Sequence, residues 1–350
     1  MNSKRTDLTR ALPLLLLMTL MMLIAAPVSA QTQGSEPTLR ERIRQRIAER
    51  RAAGGDHAAV QSNVNARITA PGDYVYSIDV DGLQRRYRVH VPPGYNPDRA
   101  TALLVSLHGG GANMDYQANE ENYGQISKSN REGFIVVFPN GYSRAPGGKL
   151  ATWNAGDCCG PARDKNIDDV GFIRKMIAQL SKQLNVDKDR TFATGMSNGA
   201  LMAHRLACEM ADTFKAIAAV AGTDNTKVCH PSAPVSVLEI HAKDDDHLPF
   251  NGGMGAKSFR SAVTNFTSVP DSIARWVARD ECAAPAKRVL DKPGAYCDRH
   301  APCRGNTAVE LCVTETGGHS WPGATKTRGS EPTSKAINAN DLMWNFFLDR

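Results

Sequence analysis

Five residues, Gly195-Met196-Ser197-Asn198-Gly199, carry the strongest chemical signal in the chain. This G-x-S-x-G pattern falls between a strand-like run, Arg190–Thr194, and a helix-like run, Asn198–Ala211. Such a turn is tight and strained, needs glycines where side chains would clash, and lifts a serine hydroxyl clear of a sheet. Ser197 is therefore a candidate nucleophile; the plainer reading is a structural turn. A serine hydroxyl reacts poorly until a base takes its proton. In this arrangement the partners follow in the order serine, acid, histidine.

Six histidines follow Ser197. His204 lies on the helix after the turn, and His230 and His241 precede the candidate acids. His247 stands two residues past Asp245, and His300 lies in a cysteine-rich stretch. His319 sits in Gly317-Gly318-His319-Ser320-Trp321-Pro322-Gly323, after the strand-like Val309–Thr314. A glycine-flanked histidine on a late loop suits a base that accepts and then returns a proton. The acid comes from Asp244-Asp245-Asp246, just past the strand-like Val235–His241. One of these carboxylates would hold the imidazole tautomer and stabilise its cation. Spacing does not choose among the three, which also suit a solvated turn or a weak cation site.

His108-Gly109-Gly110-Gly111 follows a third strand-like run, Ala102–His108. A backbone N–H from Gly110 (Gly111 is the alternative), with that of Asn198, would face a developing oxyanion. His108 itself reads as structural.

These groups need a scaffold. Tyr74–Val80 and Arg85–Val91 are β-rich and separated by Asp81-Gly82, a hairpin signal. Ala102–His108, Ile135–Phe138, Ala216–Val220 and Val235–His241 are short apolar strands. Val170–Leu184 has apolar residues at helical spacing, and Ser272–Asp280 and Ser334–Leu348 also read as helices. Strands alternating with helices imply a mostly parallel central sheet with helices on both faces. Sites in such sheets lie at the carboxyl ends of strands, where each group above falls.

Residues 1–30 have the form of a signal peptide: Lys4, Arg5 and Arg10, then an apolar run from Leu12 to Pro27, then Val28-Ser29-Ala30. An uncleaved anchor is the alternative, but the run is short for a membrane span. The expected mature chain starts at Gln31, is secreted (extracellular or periplasmic), and has no stable membrane insertion. Residues 31–72 read as a basic, partly helical linker, and 73–350 as the catalytic domain. The net charge of +6 is concentrated in the leader and in residues 31–53, which leaves the rest nearly neutral. That excludes the basic face of a nucleic-acid-binding domain; residues 31–53 are a candidate surface contact. Eight cysteines in an exported chain read as disulfides. Local spacing suggests Cys297–Cys303, Cys282–Cys312 and Cys208–Cys229, with Cys158-Cys159 as a vicinal bridge or two separate half-cystines. No paired CxxC and no HExxH is present, so no metal is expected. Gly252–Ser258 is a failed phosphate-loop match, because Ala256 stands where a glycine is required.

Taken together, the motifs resemble the secreted esterases grouped with polyhydroxybutyrate depolymerases and feruloyl esterases. The resemblance covers roughly residues 73–350. It rests on Leu107–Gly111, Trp153–Gly160, Asp168–Phe172, Gly195–Ala200, Pro249–Gly253 and Gly317–Gly323. It implies an α/β-hydrolase fold and a Ser197–Asp245–His319 triad. Asp245 follows from the family's His-Gly-x-x-Asp run, which here reads His241-Ala242-Lys243-Asp244-Asp245. It also implies that Trp153 and Trp321 border the substrate cleft, and that no cofactor is needed. The expected substrates are small or polymeric esters, either 3-hydroxybutyrate polyesters or feruloylated polysaccharide. A serine peptidase of the same fold and an inactive secreted binding protein are the alternatives.

Overall fold

Gly72–Val80 (β1) and Leu83–Val91 (β2) pair antiparallel across the two-residue loop Asp81-Gly82. Both loop residues have positive φ (52° and 76°), the handedness that matches strand twist in a tight hairpin. The computed structural model describes residues 66–255, 264–283, 285–325 and 332–349. The predicted signal peptide and most of the predicted linker lie outside the described residues. The linker's last residues differ from expectation. Ile68 is buried and its N–H donates to the Gln183 carbonyl at 2.8 Å, so the domain begins before residue 73.

The remaining strands are Thr101–Leu107 (β3), Ile135–Pro139 (β4), Val186–Met196 (β5), Ala216–Val220 (β6), Ser236–Ala242 (β7), Lys287–Lys292 (β8), Ala295–His300 (β9) and Val309–Thr314 (β10). One ten-stranded sheet runs in the order β1-β2-β4-β3-β5-β6-β7-β10-β9-β8. The pairs from β4 through β3, β5, β6 and β7 to β10 are parallel, and antiparallel hairpins close both ends. The fold is that of the α/β-hydrolases.

Helices cover both faces. Four short elements occupy connections: Met114–Gln117 (α1), Glu120–Tyr123 (α2), Gln125–Glu132 (α3) and Gly160–Asp164 (α4). The longer ones are Asp169–Gln183 (α5), Asn198–Glu209 (α6), Val269–Arg279 (α7) and Ala339–Leu348 (α8). Strand alternation divides the core in two. Leu103, Val105, Leu107, Ile217 and Val237 pack with Phe172, Leu201 and Trp276. Leu104, Val136, Phe138, Leu238 and Ile240 pack with Phe134, Trp344 and Phe347 on the other side.

The cysteine pairing corrects two expectations. The bridges are Cys158–Cys159, Cys208–Cys229, Cys282–Cys303 and Cys297–Cys312. The cysteine-rich stretch around His300 contains the β8–β9 hairpin, which extends the sheet. In the β9–β10 register Cys297 stands directly opposite Cys312, which excludes Cys297–Cys303 and Cys282–Cys312. A non-reducing digest should therefore yield peptides joined as Cys282–Cys303 and Cys297–Cys312. The Cys282→Ser/Cys303→Ser variant opens a link of sequence separation 21. It should lose about 3 kcal/mol of stability, read from its denaturation midpoint.

Candidate active site

β5 runs directly into the turn at Ser197, and α6 leaves it. Ser197 takes φ 57° and ψ −125°, a backbone state costly for a residue with a side chain. The surroundings hold it there: its N–H donates to the Val220 carbonyl at 2.9 Å, and its carbonyl starts α6 by accepting from Leu201 N–H at 3.0 Å. A Cβ on Gly195 would collide with the Gly199 backbone, and one on Gly199 with the Leu107 carbonyl. Both glycines are required by close approach of backbone rather than by their own φ.

The loop after β3 lies against this turn. A Cβ placed on Gly109 would stand 3.5 Å from the Ser197 Cβ, and one on Gly110 would stand 3.5 Å from the Asn198 Cβ. Gly111 N–H is already spent on the Ala151 carbonyl at 2.8 Å. Among the described residues, the N–H groups of Gly110 and Asn198 donate to no protein acceptor. The first N–H groups of a helix have no intrahelical partner, so that of Asn198 is available by position. Of the two glycines, Gly110 is the one whose N–H is not spent on a protein acceptor.

Trp153, expected at the cleft wall, is fully buried. Its Nε1–H donates to the His108 carbonyl at 2.9 Å, and its backbone N–H and C=O pair with the Asn198 side-chain amide at 2.7 and 3.0 Å. It fastens the glycine loop to the start of α6 instead of facing solvent. His108 is likewise buried. Its Nδ1–H donates to the Gly109 carbonyl and its Nε2 accepts from Gly141 N–H at 2.9 Å. Burial pushes its imidazole down to about 4, so it is a neutral structural strut. The Asp168-Asp169 pair is also structural. Asp168 caps α5 through Gly171 N–H at 2.8 Å. Asp169 is buried against Arg85 at 2.6 Å and accepts from Asn154 N–H at 2.7 Å.

The three adjacent aspartates divide their work. Asp245 Oδ2 lies 2.8 Å from His319 Nδ1, and its Oδ1 accepts from the N–H groups of His247 and Leu248 at 2.8 and 2.9 Å. Burial alone would raise its carboxyl, but the imidazoles of His319 and His241 outweigh that and hold it well below the usual carboxylate range. Asp244 accepts from the N–H groups of Gly317 and Gly318 at 3.2 and 2.8 Å, which ties down the loop that carries His319. Asp246 pairs with His247 Nδ1 at 2.6 Å, and the His247 ring stacks on that of His319 with centroids 4.8 Å apart. The sequence gives no sign of that stack or of the clamp on the glycines.

Trp321 is buried rather than open to solvent. Its ring meets Tyr123 edge-on at 5.4 Å, and the Tyr123 hydroxyl lies 3.7 Å from Met196 Sδ. An aromatic bridge thus joins the histidine loop to the residue before Ser197. Tyr123 falls in a stretch where the sequence shows no regular element.

The Esterase family model, described as "Putative esterase", matches residues 82–295. The chain belongs to this esterase family. It is 30% identical over 243 residues to feruloyl esterase B of Piromyces equi, which covers 67% of this chain and 42% of that protein. It is 30% identical over 268 residues to the "Probable feruloyl esterase C" of Aspergillus niger, 75% of this chain and 84% of that one. The chain spans about half the length of the first curated relatives it matches, 42% and 58%. Among solved structures, an acetyl xylan esterase from Aspergillus awamori superposes with a TM-score of 0.53 at 13% identity. That superposition covers 79% of this chain and 99% of that one, and it supports the fold.

The division of labour among the aspartates is directly testable. Asp244→Asn, which weakens the charge on the Gly317–Gly318 clamp, should lower kcat/KM about tenfold and leave a measurable enzyme. Arg85→Met strands the Asp169 carboxylate. It should cost about 3–5 kcal/mol in chemical denaturation.

Proposed function

We propose that the protein is an exported carboxylic ester hydrolase acting through Ser197, His319 and Asp245. The observation that carries this reading is the Asp245–His319 hydrogen bond of 2.8 Å, supported by the strained G-x-S-x-G turn that presents Ser197. Family membership and the feruloyl esterase relatives support the same reaction class. His319 takes the Ser197 proton as Oγ forms a bond to the ester carbonyl carbon. The N–H groups of Gly110 and Asn198 stabilise the resulting oxyanion. The carbon–oxygen bond to the alcohol then breaks, and His319 returns the proton to the leaving oxygen. Water repeats the sequence on the acyl-enzyme, releasing the acid and free Ser197.

For the substrate, the relatives favour feruloyl esters over 3-hydroxybutyrate polyesters. Export rests on the leader at residues 1–30 and on the four disulfides, which persist in oxidising compartments. Among the described residues no helix is long and apolar enough to cross a membrane.

The deciding experiment compares methyl ferulate with a 3-hydroxybutyrate oligomer. Wild type should hydrolyse the ferulate, and Ser197→Ala should lose on the order of 10⁶-fold in kcat. Asp245→Asn should lose on the order of 10⁴-fold, far more than Asp244→Asn. Turnover of the oligomer alone would transfer the assignment to polyester hydrolysis. No turnover of either ester, nor of p-nitrophenyl acetate, would overturn the enzymatic reading.

A further inference from the structure

Strand β7 breaks the rule that builds the rest of the core. Its alternate residues Val237, Glu239 and His241 point to the face covered by α6 and α7, and all three are fully buried. An acid and a histidine at successive core positions are costly unless their charges meet partners. The partners form a chain. Glu239 Oε2 accepts from the Ser272 hydroxyl at 2.9 Å and lies 3.8 Å from His204 Nε2. Glu239 Oε1 stands 3.6 Å from His241 Nδ1. His241 Nε2 lies 2.9 Å from the Leu248 carbonyl and 3.4 Å from Asp245 Oδ2. Asp245 Oδ2 in turn meets His319 Nδ1.

The ring nitrogens fix where protons belong. A carbonyl oxygen can only accept, so His241 Nε2 carries a hydrogen. His241 Nδ1 then faces the Glu239 carboxylate. A bare nitrogen lone pair there would oppose an oxygen lone pair, and neither atom has another hydrogen-bond partner among the described residues. A second ring proton removes the conflict.

We propose that His241 is a buried imidazolium held between Glu239 and Asp245, and that it positions the Asp245 carboxylate and keeps it ionised for His319. This rests on the triad reading. Opposed carboxylates overcome the effect of burial, which alone would lower the His241 pKa, and push it up to about 10. The other charged or titratable groups in reach are His204, beyond Glu239, and then Asp224 with Arg279, 2.5 Å apart. On the far side stand His319 and the stacked pair formed with His247. Trp276 Nε1–H donates to His204 Nδ1 at 3.0 Å, so α7 closes the chain from behind.

The test reads the proton and the kinetics separately. In ¹⁵N-labelled full-length protein, with His241 signals assigned by their loss in His241→Gln, both ring nitrogens should stay protonated to about pH 9. A ring that is neutral at pH 7.5 would overturn the proposal. Removing the cation leaves His319 facing more uncompensated negative charge, which tightens its hold on its own proton. The acid limb of kcat/KM should therefore move up by roughly one pH unit in His241→Gln. Glu239→Gln, which keeps the shape of the core but removes the carboxylate facing Nδ1, should make His241 lose its second ring proton at a lower pH in the same ¹⁵N titration. A uniform loss at every pH with the limb unmoved would reduce His241 to packing. An Asp245→Asn enzyme with full activity would overturn the triad itself, a result distinct from the protonation of His241.

Discussion

An ionised carboxylate with 4% of its surface exposed must collect its stabilisation from the protein, and Asp245 collects it from four nitrogen atoms. Two are backbone N–H groups of the segment it begins, and two are imidazole nitrogens, one near the end of β7 and one on the loop after β10. Water could not supply these contacts without also competing for them. The arrangement therefore demands that β7 and β10 be neighbours in register, with the loop after β10 folded back over the end of β7. Asp244 meets that demand by clamping Gly317 and Gly318.

The opposite half of the site answers to sterics rather than charge. The turn at Ser197 is strained, and the loop after β3 must approach it closely enough that only glycine fits between them. Trp153, the Asn198 amide and His108 then lock that loop by hydrogen bonds to backbone. The Tyr123–Trp321 contact ties the two halves together by packing. One half depends on electrostatics and the other on shape.

Much of this was legible in the sequence for identifiable reasons. Alternation of short apolar strands with helices gave the parallel sheet, and Ala216–Val220 and Val309–Thr314 were read to the residue. Ser197 was visible because its turn has a pattern that glycine chemistry enforces. Spacing did not choose among the three adjacent aspartates, and only the family resemblance pointed to Asp245; in the fold, backbone donors give each of Asp244 and Asp245 its own partners. β8 escaped because Lys287–Lys292 is mostly charged and exposed and lacks an apolar face. With that hairpin unseen, cysteines were paired by distance along the chain, whereas Cys297 and Cys312 are joined by register across strands. Tryptophans in a cleft motif suggested a cleft wall, but Trp153 acts through its N–H and backbone from inside the core.

The same charged hairpin has a bearing on behaviour in bulk. β8 ends the sheet, and its outward row of unpaired backbone groups would template the addition of a strand from a neighbouring molecule. Lys287, Arg288, Asp291 and Lys292 are exposed along it, and Arg288 is anchored to Asp298 on β9 at 2.5 Å. Stacking a second copy there would press like charges together and strip them of water. This edge guards against fibrous self-assembly when the protein is concentrated.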